Sequence, residues 1–231
     1  MTKALLAVDT ATESCGVCVM SDGMVRAELM LSHGQTHTRS ILQAVDSVLS
    51  LARIALAQID AFAVTRGPGS FTGLRIGIST VKGLAFAVTK PVVGVSSLDV
   101  LAHQAGGDSE FVCPVIDARR REVYWRIYSR KSGDLIPETD EQVGPVDQLA
   151  GQIEGPSTFI GNGAALYAAK LGPLVNHGAY WAPSEENAIR PAVLARLAWR
   201  RFEQGRFGNA RELVPVYLRK SDAELNHGLG T

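Results

Sequence analysis

Short apolar runs separated by polar turns dominate the beginning of the chain. Residues 4–8 form an apolar run that ends at Asp9, which predicts a buried β-strand. Two further strands are predicted at residues 14–20 and 24–31, because apolar residues recur there at strand spacing around the turn at residues 21–23. Three consecutive strands with a tight second turn predict an antiparallel meander.

The period of the apolar positions changes after the meander. From Ile41 onward they fall on one face of a helix, which Thr36 or Thr38 can cap. A strand is predicted at residues 59–65 and a loop at residues 66–69. A second helix follows and ends near residue 88, and its cap is Ser70 or Thr72. A strand at residues 91–95 and a helix at 96–105 follow.

The order of predicted elements partly repeats after the glycines at 106 and 107. An apolar strand at residues 111–116 ends at Asp117, as the first strand ends at Asp9. A strand at 122–129, a helix at 146–153, a strand at 158–161 and a helix at 164–171 come next, and a last helix spans 189–203 with Pro191 in its first turn. Two such halves predict a two-lobed α/β protein, with lobes at residues 1–106 and 107–231.

Composition narrows the functional classes. The 231 residues are 46% hydrophobic and 20% charged, which is typical of a globular protein and excludes a disordered one. Lys and Arg together number 23, and so do Asp and Glu. The chain therefore lacks the net positive charge that is typical of a protein that binds nucleic acid without a partner. No apolar run is long enough to span a membrane. The chain has three cysteines, and this odd number argues against a disulfide framework. We therefore expect a protein of a reducing compartment, the cytoplasm.

The turn after the first strand carries the first candidate chemistry. It reads Asp9-Thr10-Ala11-Thr12, and tight turns of this kind bind anions through backbone N–H groups. In the actin-like ATPase superfamily the corresponding turn reads Asp-any-Gly-Thr and holds a nucleotide phosphate, while its aspartate positions the metal ion. Here Ala11 stands at the glycine position, where glycine lets a backbone approach closely.

The second half of the chain contains two further segments that correspond to nucleotide-binding elements of the actin-like superfamily. Arg119 replaces the glycine of a second phosphate turn that begins at Asp117, and residues 161–164 read Gly-Asn-Gly-Ala, as in an adenosine loop. The candidate nucleotide-site residues are therefore Asp9, Thr10, Thr12, Asp117, Gly161 and Gly163. Because two of the three elements are altered, we favour the interpretation that both aspartates only cap turns, and we expect no productive ATP hydrolysis.

A glycine-rich run, Gly67-Pro68-Gly69-Ser70-Phe71-Thr72-Gly73-Leu74-Arg75-Ile76-Gly77, is the most unusual stretch. It lacks the Gly-x4-Gly-Lys-Ser/Thr pattern of a Walker loop, although a helix that follows such a turn can still bind an anion. Each glycine inside a helix costs about 1 kcal/mol relative to alanine. The glycines at 73, 77 and 83 therefore predict close backbone approach, either to the chain's own sheet or to another chain.

The remaining polar candidates are weaker. His33 and His37 have the i, i+4 spacing of metal ligands, but no third ligand lies nearby in sequence, so we expect no metal site. The Arg119-Arg120-Arg121 run can contact phosphate or form a solvated surface. Neither a nucleophile with its base nor a pair of acid/base carboxylates stands out, so we expect no catalytic residues.

Several motifs together carry a family resemblance. The sequence 8–12, the run 67–75, the segments 91–98 and 117–124, and Pro215-Val216-Tyr217-Leu218-Arg219 closely resemble the TsaB (YeaZ) family over nearly the whole chain. The resemblance implies a two-lobed actin-like fold with degenerate nucleotide motifs. It also implies a role in making threonylcarbamoyladenosine beside the anticodon of tRNA, as a non-catalytic subunit.

The resemblance further implies the partners. Proteins of this family pair with a homologous catalytic subunit, TsaD, and work with the small ATPase TsaE, and they form homodimers through the same surface. We therefore expect contact with tRNA only through the complex, no cofactor of the chain's own, and at most weak or interface-shared ADP or ATP. The rival hypotheses are an ATP-dependent phosphotransferase of the actin-like superfamily and, last, a peptidase.

Pairing in this family uses the first two helices, which the resemblance places at residues 36–51 and 72–88. The expected partner-interface residues are His37, Ile41, Val45, Val48, Leu49, Leu74, Ile78, Val81 and Ala85. On this hypothesis Val45→Glu abolishes pairing and leaves the fold intact. One face of each helix must also pack on the sheet, so the opposite face of the second helix remains an alternative.

Overall fold

The computed structural model describes residues 2–32, 37–175 and 178–219. Its strands are β1 (Ala4–Asp9), β2 (Cys15–Ser21), β3 (Met24–Leu31), β4 (Ala61–Thr65), β5 (Val92–Val95), β6 (Phe111–Asp117), β7 (Glu122–Trp125), β8 (Tyr128–Lys131), β9 (Asp134–Pro137), β10 (Gln142–Pro145), β11 (Ser157–Ile160) and β12 (Ala179–Trp181). Its α-helices are α1 (His37–Ala52), α2 (Phe71–Ala87), α3 (Ser97–Gln104), α4 (Val146–Ala150), α5 (Asn162–Leu171) and α6 (Pro191–Glu203). Short 3-10 turns lie at Leu56–Gln58, Gly172–Leu174 and Ser184–Glu186.

The first sheet is five-stranded, with the order β3-β2-β1-β4-β5. The first three strands are antiparallel neighbours, which confirms the predicted meander, whereas β4 and β5 run parallel to β1. Side chains of β1 alternate between two cores: Leu5 and Ala7 face one, and Leu6 and Val8 face the other. Both faces of the sheet are therefore covered by helices, as the continuous apolar run requires.

The second sheet is seven-stranded and repeats the plan of the first. Its order is β10-β7-β6-β11-β12, with β8 pairing with β6 and with β9. As in the first sheet, antiparallel strands lie on one side of the first strand, and two parallel strands lie on the other. The duplication predicted from the order of elements is therefore confirmed.

Helices α3 and α6 form a layer shared by both sheets. Leu98 and Leu194 lie in one core cluster together with Leu5 of β1 and with Val112 and Ile116 of β6. The opposite face of the first sheet packs against α1 and α2, and that of the second sheet packs against α4 and α5. The predicted two-lobed α/β architecture is therefore present, with a continuous apolar core between its lobes.

Two sequence-based boundaries differ from the structure. The strand predicted at residues 122–129 is divided into β7 and β8, because Arg126 and Ile127 turn aside to donate hydrogen bonds to Thr139. Its first half then pairs with β10 and its second half with β9. The division at residues 106–107 separates the two sheets, but α6 returns to pack on the first sheet, so residues 107–231 do not form one lobe alone.

The cysteines are free and buried, and Cys15 and Cys18 both lie on β2, as the alternating pattern predicts. Ser70, one of the two predicted caps, is the N-cap of α2 and accepts a hydrogen bond from the Gly73 N–H at 3.2 Å. Within the described ranges, no helix combines the length and the apolarity needed to cross a bilayer.

Candidate functional site

Asp9 ends β1 and is completely buried, with 0% of its surface exposed. Its Oδ1 accepts hydrogen bonds from the Thr65 hydroxyl at 2.6 Å and from the Ala11 N–H at 3.2 Å. No described residue donates to its Oδ2. Burial raises the pKa of Asp9 from 3.8 to about 7, although the hydrogen bonds from the Thr65 hydroxyl and the Ala11 N–H oppose this shift.

The glycine-rich run packs directly on the turn that follows Asp9. The Ser70 N–H donates to the Ala11 carbonyl oxygen at 2.7 Å, and the Thr10 hydroxyl donates to the Gly73 carbonyl oxygen at 2.7 Å. A Cβ at Gly73 would overlap the Thr10 carbonyl oxygen, and one at Gly77 would overlap the Thr10 hydroxyl oxygen. The close approach predicted from these two glycines is therefore to the chain's own first turn.

Gly83, the third glycine of α2, has a different environment. A Cβ there would meet nothing within 4 Å, and the residue is exposed. The first explanation therefore applies to Gly73 and Gly77, which accommodate the first turn, whereas Gly83 leaves open space on the outer side of the helix and the approach of another chain there stays a prediction.

The second turn presents a side chain where a phosphate-binding turn would present glycine. Arg119 Nη2 lies 2.8 Å from Glu13 Oε1, and its Nη1 lies 3.6 Å from Asp117 Oδ2. The guanidinium thus joins the two turns that would flank a nucleotide phosphate. Because Arg119 and Glu13 are both 70% exposed, this ion pair contributes little to stability.

The third predicted element packs against the second turn. Asn162 Oδ1 accepts a hydrogen bond from the Asp117 N–H at 3.2 Å, and a Cβ at Gly163 would lie 2.8 Å from that same nitrogen. Gly161 has a φ of 109°, a conformation that favours glycine, and its N–H donates to Asn187 Oδ1 at 2.8 Å. The structure therefore brings the turns after Asp9 and Asp117 and the start of α5 to one region, where they contact one another.

The predicted partner-interface residues with described side chains are buried inside the single chain. They are between 0% and 8% exposed and contribute to its own cores: Ile41, Val45, Val48, Leu49, Leu74, Ile78, Val81 and Ala85. The expectation that Val45→Glu leaves the fold intact is therefore wrong, because Val45 is 2% exposed and a buried charge there would destabilise the fold. The side chain of His37, and the whole of His33, lie outside the described residues.

The outer faces of α1 and α2 display other large apolar side chains. Leu42 is 53% exposed, Leu51 is 71% exposed and Phe86 is 70% exposed. The two helices pack side by side on the same face of the first sheet. The solvent-exposed sides of the two helices, which include Leu42, Leu51, Gly83 and Phe86, are what we call the outer helix surface.

The segment from Gly208 to Tyr217, for which the sequence pattern predicted no helix or strand, runs along α2 in the opposite direction. Gly208 pairs with Val92 beyond the end of the helix, the Arg211 carbonyl oxygen accepts a hydrogen bond from Lys82 at 3.5 Å, and the Tyr217 ring stacks on Phe71 with centroids 4.9 Å apart. Arg75 Nε donates to the Tyr217 hydroxyl at 3.1 Å. Only the family resemblance of residues 215–219 marked this segment in the sequence.

The described part of the chain contains no group of three or more His, Cys, Asp or Glu side chains arranged to hold a metal ion. A groove of about 790 Å³ lies beside the end of α2, between Phe86 and Phe207.

Comparisons with known proteins agree with this geometry. The family model described as TsaD, tRNA N6-adenosine threonylcarbamoyltransferase, matches residues 32–226. The chain is 34% identical to the Escherichia coli tRNA threonylcarbamoyladenosine biosynthesis protein TsaB, over 95% of this chain and 96% of that protein. The chain belongs to the TsaB (YeaZ) family. The Bacillus subtilis TsaB is 28% identical over 95% of this chain and 96% of its own length.

Solved structures support the same assignment and the fold. YeaZ from Pseudomonas aeruginosa superposes with a TM-score of 0.78 at 33% identity, covering 94% of this chain and 100% of that one. The Acidaminococcus fermentans (R)-2-hydroxyglutaryl-CoA dehydratase component A has a TM-score of 0.51 at 11% identity, covering 86% of this chain and 98% of that one. This second likeness concerns the fold alone, which is the two-lobed actin-like fold that the sequence predicts.

Proposed function

We propose that this TsaB-family chain is a non-catalytic subunit for transfer of the threonylcarbamoyl group to the adenosine 3′ of the anticodon in tRNA. It pairs with a TsaD-like catalytic subunit and works in the cytoplasm with a TsaE-like ATPase. The observation that carries the non-catalytic assignment is the Arg119 ion pair, which joins the two phosphate-type turns through the chain's own guanidinium group. Its role is to dock on the transferase and stabilise the active arrangement.

The first turn supports the same proposal. The hydroxyl of Thr10 and the carbonyl oxygen of Ala11 are bonded to the α2 segment, and Asp9 lies inside the protein with one oxygen that no described residue approaches as a donor. The chain therefore has no cofactor of its own on this proposal. ADP or ATP binds weakly, or only where a partner completes the site.

The outer helix surface is the proposed docking surface for the TsaD-like subunit. Leu42, Leu51 and Phe86 provide the exposed apolar area on which interfaces commonly rest, and the open space at Gly83 lets a partner helix approach closely. The buried residues first expected at the interface hold the two helices on the sheet. Without the partner, the same surface pairs two copies of the chain.

Reconstituted transfer tests this proposal. Threonylcarbamoyl transfer to unmodified tRNA is measured with TsaD and TsaE, with and without the chain, together with co-elution of the chain and TsaD. We expect transfer only when the chain is present. Full transfer without the chain would refute the proposal.

A matched set of variants tests the docking surface. Leu51→Glu and Phe86→Glu place a charge on the outer helix surface, and both should abolish co-elution with TsaD. Leu166→Glu is the control, because Leu166 is 60% exposed but lies on α5 of the second sheet. Unchanged co-elution of both outer-surface variants would show that the partner binds elsewhere.

The alternative function is an ATP-dependent phosphotransferase or ATPase of the actin-like superfamily. It is favoured by one observation, the gathering of Asp9, Asp117 and Gly161 in one region by the fold. Calorimetry with ATP and Mg²⁺ distinguishes the two. Micromolar binding that disappears in Asp9→Ala would support this alternative, and an absence of binding would leave the accessory subunit.

A further inference from the structure

Helix α3 lies between the two sheets, and the carboxylate of its Asp99 is bonded to residues from both sides. On the side of the first sheet, Arg201 Nη2 of α6 donates to Asp99 Oδ2 at 3.1 Å, and Arg201 Nη1 donates to the Gly94 carbonyl oxygen of β5 at 2.9 Å. On the side of the second sheet, the Tyr128 hydroxyl of β8 donates to Asp99 Oδ1 at 2.7 Å, and Arg126 Nη1 lies 3.6 Å from that oxygen. We call Asp99, Arg126, Tyr128 and Arg201 the Asp99 cluster.

The Asp99 cluster is mostly shielded from water. Tyr128 is 1% exposed, and the side chains of Asp99, Arg126 and Arg201 are 18%, 22% and 31% exposed. Burial and the Asp99 carboxylate hold the pKa of the Tyr128 hydroxyl far above its usual value, so the hydroxyl remains a donor. Charges in such surroundings depend on their partners, because removing one partner leaves the other desolvated and unpaired.

The break between β7 and β8 positions the arginine that the second sheet contributes. Arg126 lies in this break, where its Nε donates to the Thr139 carbonyl oxygen at 2.8 Å. The Ile127 N–H donates to the Thr139 hydroxyl at 3.1 Å, which holds the break in place. The division of this strand therefore brings a cation of the second sheet to Asp99 on α3.

The start of α3 is also bonded to both sides. The hydroxyl of Ser96, the N-cap of α3, accepts hydrogen bonds from the Leu98 and Asp99 N–H groups at 3.2 and 3.3 Å. The same hydroxyl donates to Glu141 Oε1, which immediately precedes β10 of the second sheet. The Ser97 N–H donates to the carbonyl oxygen of residue 67, in the loop after β4 of the first sheet, at 2.9 Å. Both lobes therefore hold the helix at its first turn.

The apolar layer around α3 does not by itself define the angle between the sheets. Leu98 and Leu194 of this layer pack in one core with residues of both sheets, but hydrophobic contact is non-directional. Packed helices can therefore slide over one another by small distances. Hydrogen bonds weaken steeply away from their preferred geometry, so they tolerate less displacement. Buried ionic groups add little net stability compared with apolar ones, and their best attested use is to specify one arrangement.

We propose that the Asp99 cluster is an interlobe lock, which fixes the two sheets at one angle and prevents them from sliding over the shared layer. The lock would act in the chain alone, so it does not depend on the proposed function. The turns that follow Asp9 and Asp117 belong to different sheets. The lock therefore also fixes how far these two turns lie from each other.

The test measures the distance between the lobes in the full chain. Spin labels are attached at Ser50→Cys on α1 and Ala169→Cys on α5, both exposed positions, and the distance distribution is recorded by double electron–electron resonance. The three native cysteines are buried and do not compete for the label. We expect one narrow distribution in the chain with an intact Asp99 cluster.

The decisive variant is Asp99→Leu/Arg126→Met/Arg201→Met, which replaces the charged groups by apolar side chains of similar length. We expect cooperative unfolding in urea to be retained, because the apolar layer is intact, and the distance distribution to shift or broaden by about 2 Å. A residue with only a stabilising role would change the unfolding midpoint and leave the distribution narrow. A narrow, unshifted distribution in the folded variant would overturn the proposal.

Asp60→Leu/Lys90→Met is the matched control. This ion pair has an N–O distance of 3.1 Å and side chains that are 32% exposed, but both residues belong to the first sheet and its connections. The control should leave the distribution unchanged, and an equal broadening would overturn the proposal. If the triple variant does not fold, Tyr128→Phe decides, because it removes one hydroxyl donor to Asp99 and keeps the ring. Broadening in Tyr128→Phe would support the lock, and an unchanged distribution would overturn it.

Discussion

Asp9→Asn tests whether the first turn holds an uncompensated buried carboxyl group. The wild-type side chain is completely buried, its Oδ1 has two donors, and its Oδ2 has none among the described residues. Asparagine keeps the Oδ1 contacts and cannot ionise. It places an amide donor at the Oδ2 position, which costs about 1–3 kcal/mol at every pH if no acceptor reaches it.

The pH dependence follows from the raised pKa of Asp9. In the unfolded chain the carboxyl group loses its proton near pH 3.8, whereas the folded protein retains it up to about pH 7. The stabilisation from protonated Asp9 is therefore fully present below pH 3.8 and is lost as the pH rises towards 7. The difference of about three pH units corresponds to roughly 4 kcal/mol in total, of which about 2.5 kcal/mol falls between pH 5 and pH 8.

Urea denaturation of both proteins at pH 5 and pH 8 measures this effect. The free energy of unfolding of the wild type, relative to Asp9→Asn, should fall by about 2.5 kcal/mol between the two pH values. Asp108→Asn changes an exposed carboxylate and serves as the control; its difference from the wild type should stay constant within about 0.5 kcal/mol. An equal difference for Asp9→Asn at both pH values would show that the buried carboxyl group titrates normally, which would refute the reasoning.

Two further predictions concern α2 and its neighbours. Gly73→Ala should destabilise the fold by roughly 2–4 kcal/mol in urea denaturation, because the new Cβ overlaps the backbone carbonyl oxygen of Thr10. Gly83→Ala meets open space and should stabilise the helix by about 1 kcal/mol. Equal effects of the two substitutions would refute this account of the packing. Tyr217→Ala removes the stack on Phe71 and should cost about 1 kcal/mol. It should also speed hydrogen exchange of residues 213–219, and unchanged exchange would show that the stack does not hold this segment.

The alternation of apolar and polar residues predicted most of the fold. The meander, the strands ending at Asp9 and Asp117, and the cap at Ser70 follow from local pattern, because period and turn chemistry act over a few residues. The division of the strand at residues 122–129 could not be predicted in this way. Its halves pair with different partners, and strand pairing depends on contacts distant in sequence.

The choice of helix face shows a second limit. The apolar stripe of α1 contains Val45 and Val48, and periodicity identifies it correctly as a buried face. Periodicity does not say whether the sheet of the same chain or a partner buries that face. The structure assigns the stripe to the sheet, so the proposed docking surface uses the exposed sides of the helix, where the pattern did not distinguish Leu42 and Leu51.

The altered nucleotide site and the proposed docking surface depend on the same packing. Gly73 and Gly77 let α2 contact Thr10, and that contact uses polar groups that a phosphate would otherwise approach. The same contact fixes α2 on the sheet, which determines where Gly83 and Phe86 face solvent. A glycine-rich run that follows a strand would ordinarily suggest a ligand loop. Here its glycines support a helix on the first turn, so both parts of the proposed function, a chain without its own phosphate site and a docking surface on α2, would follow from one arrangement.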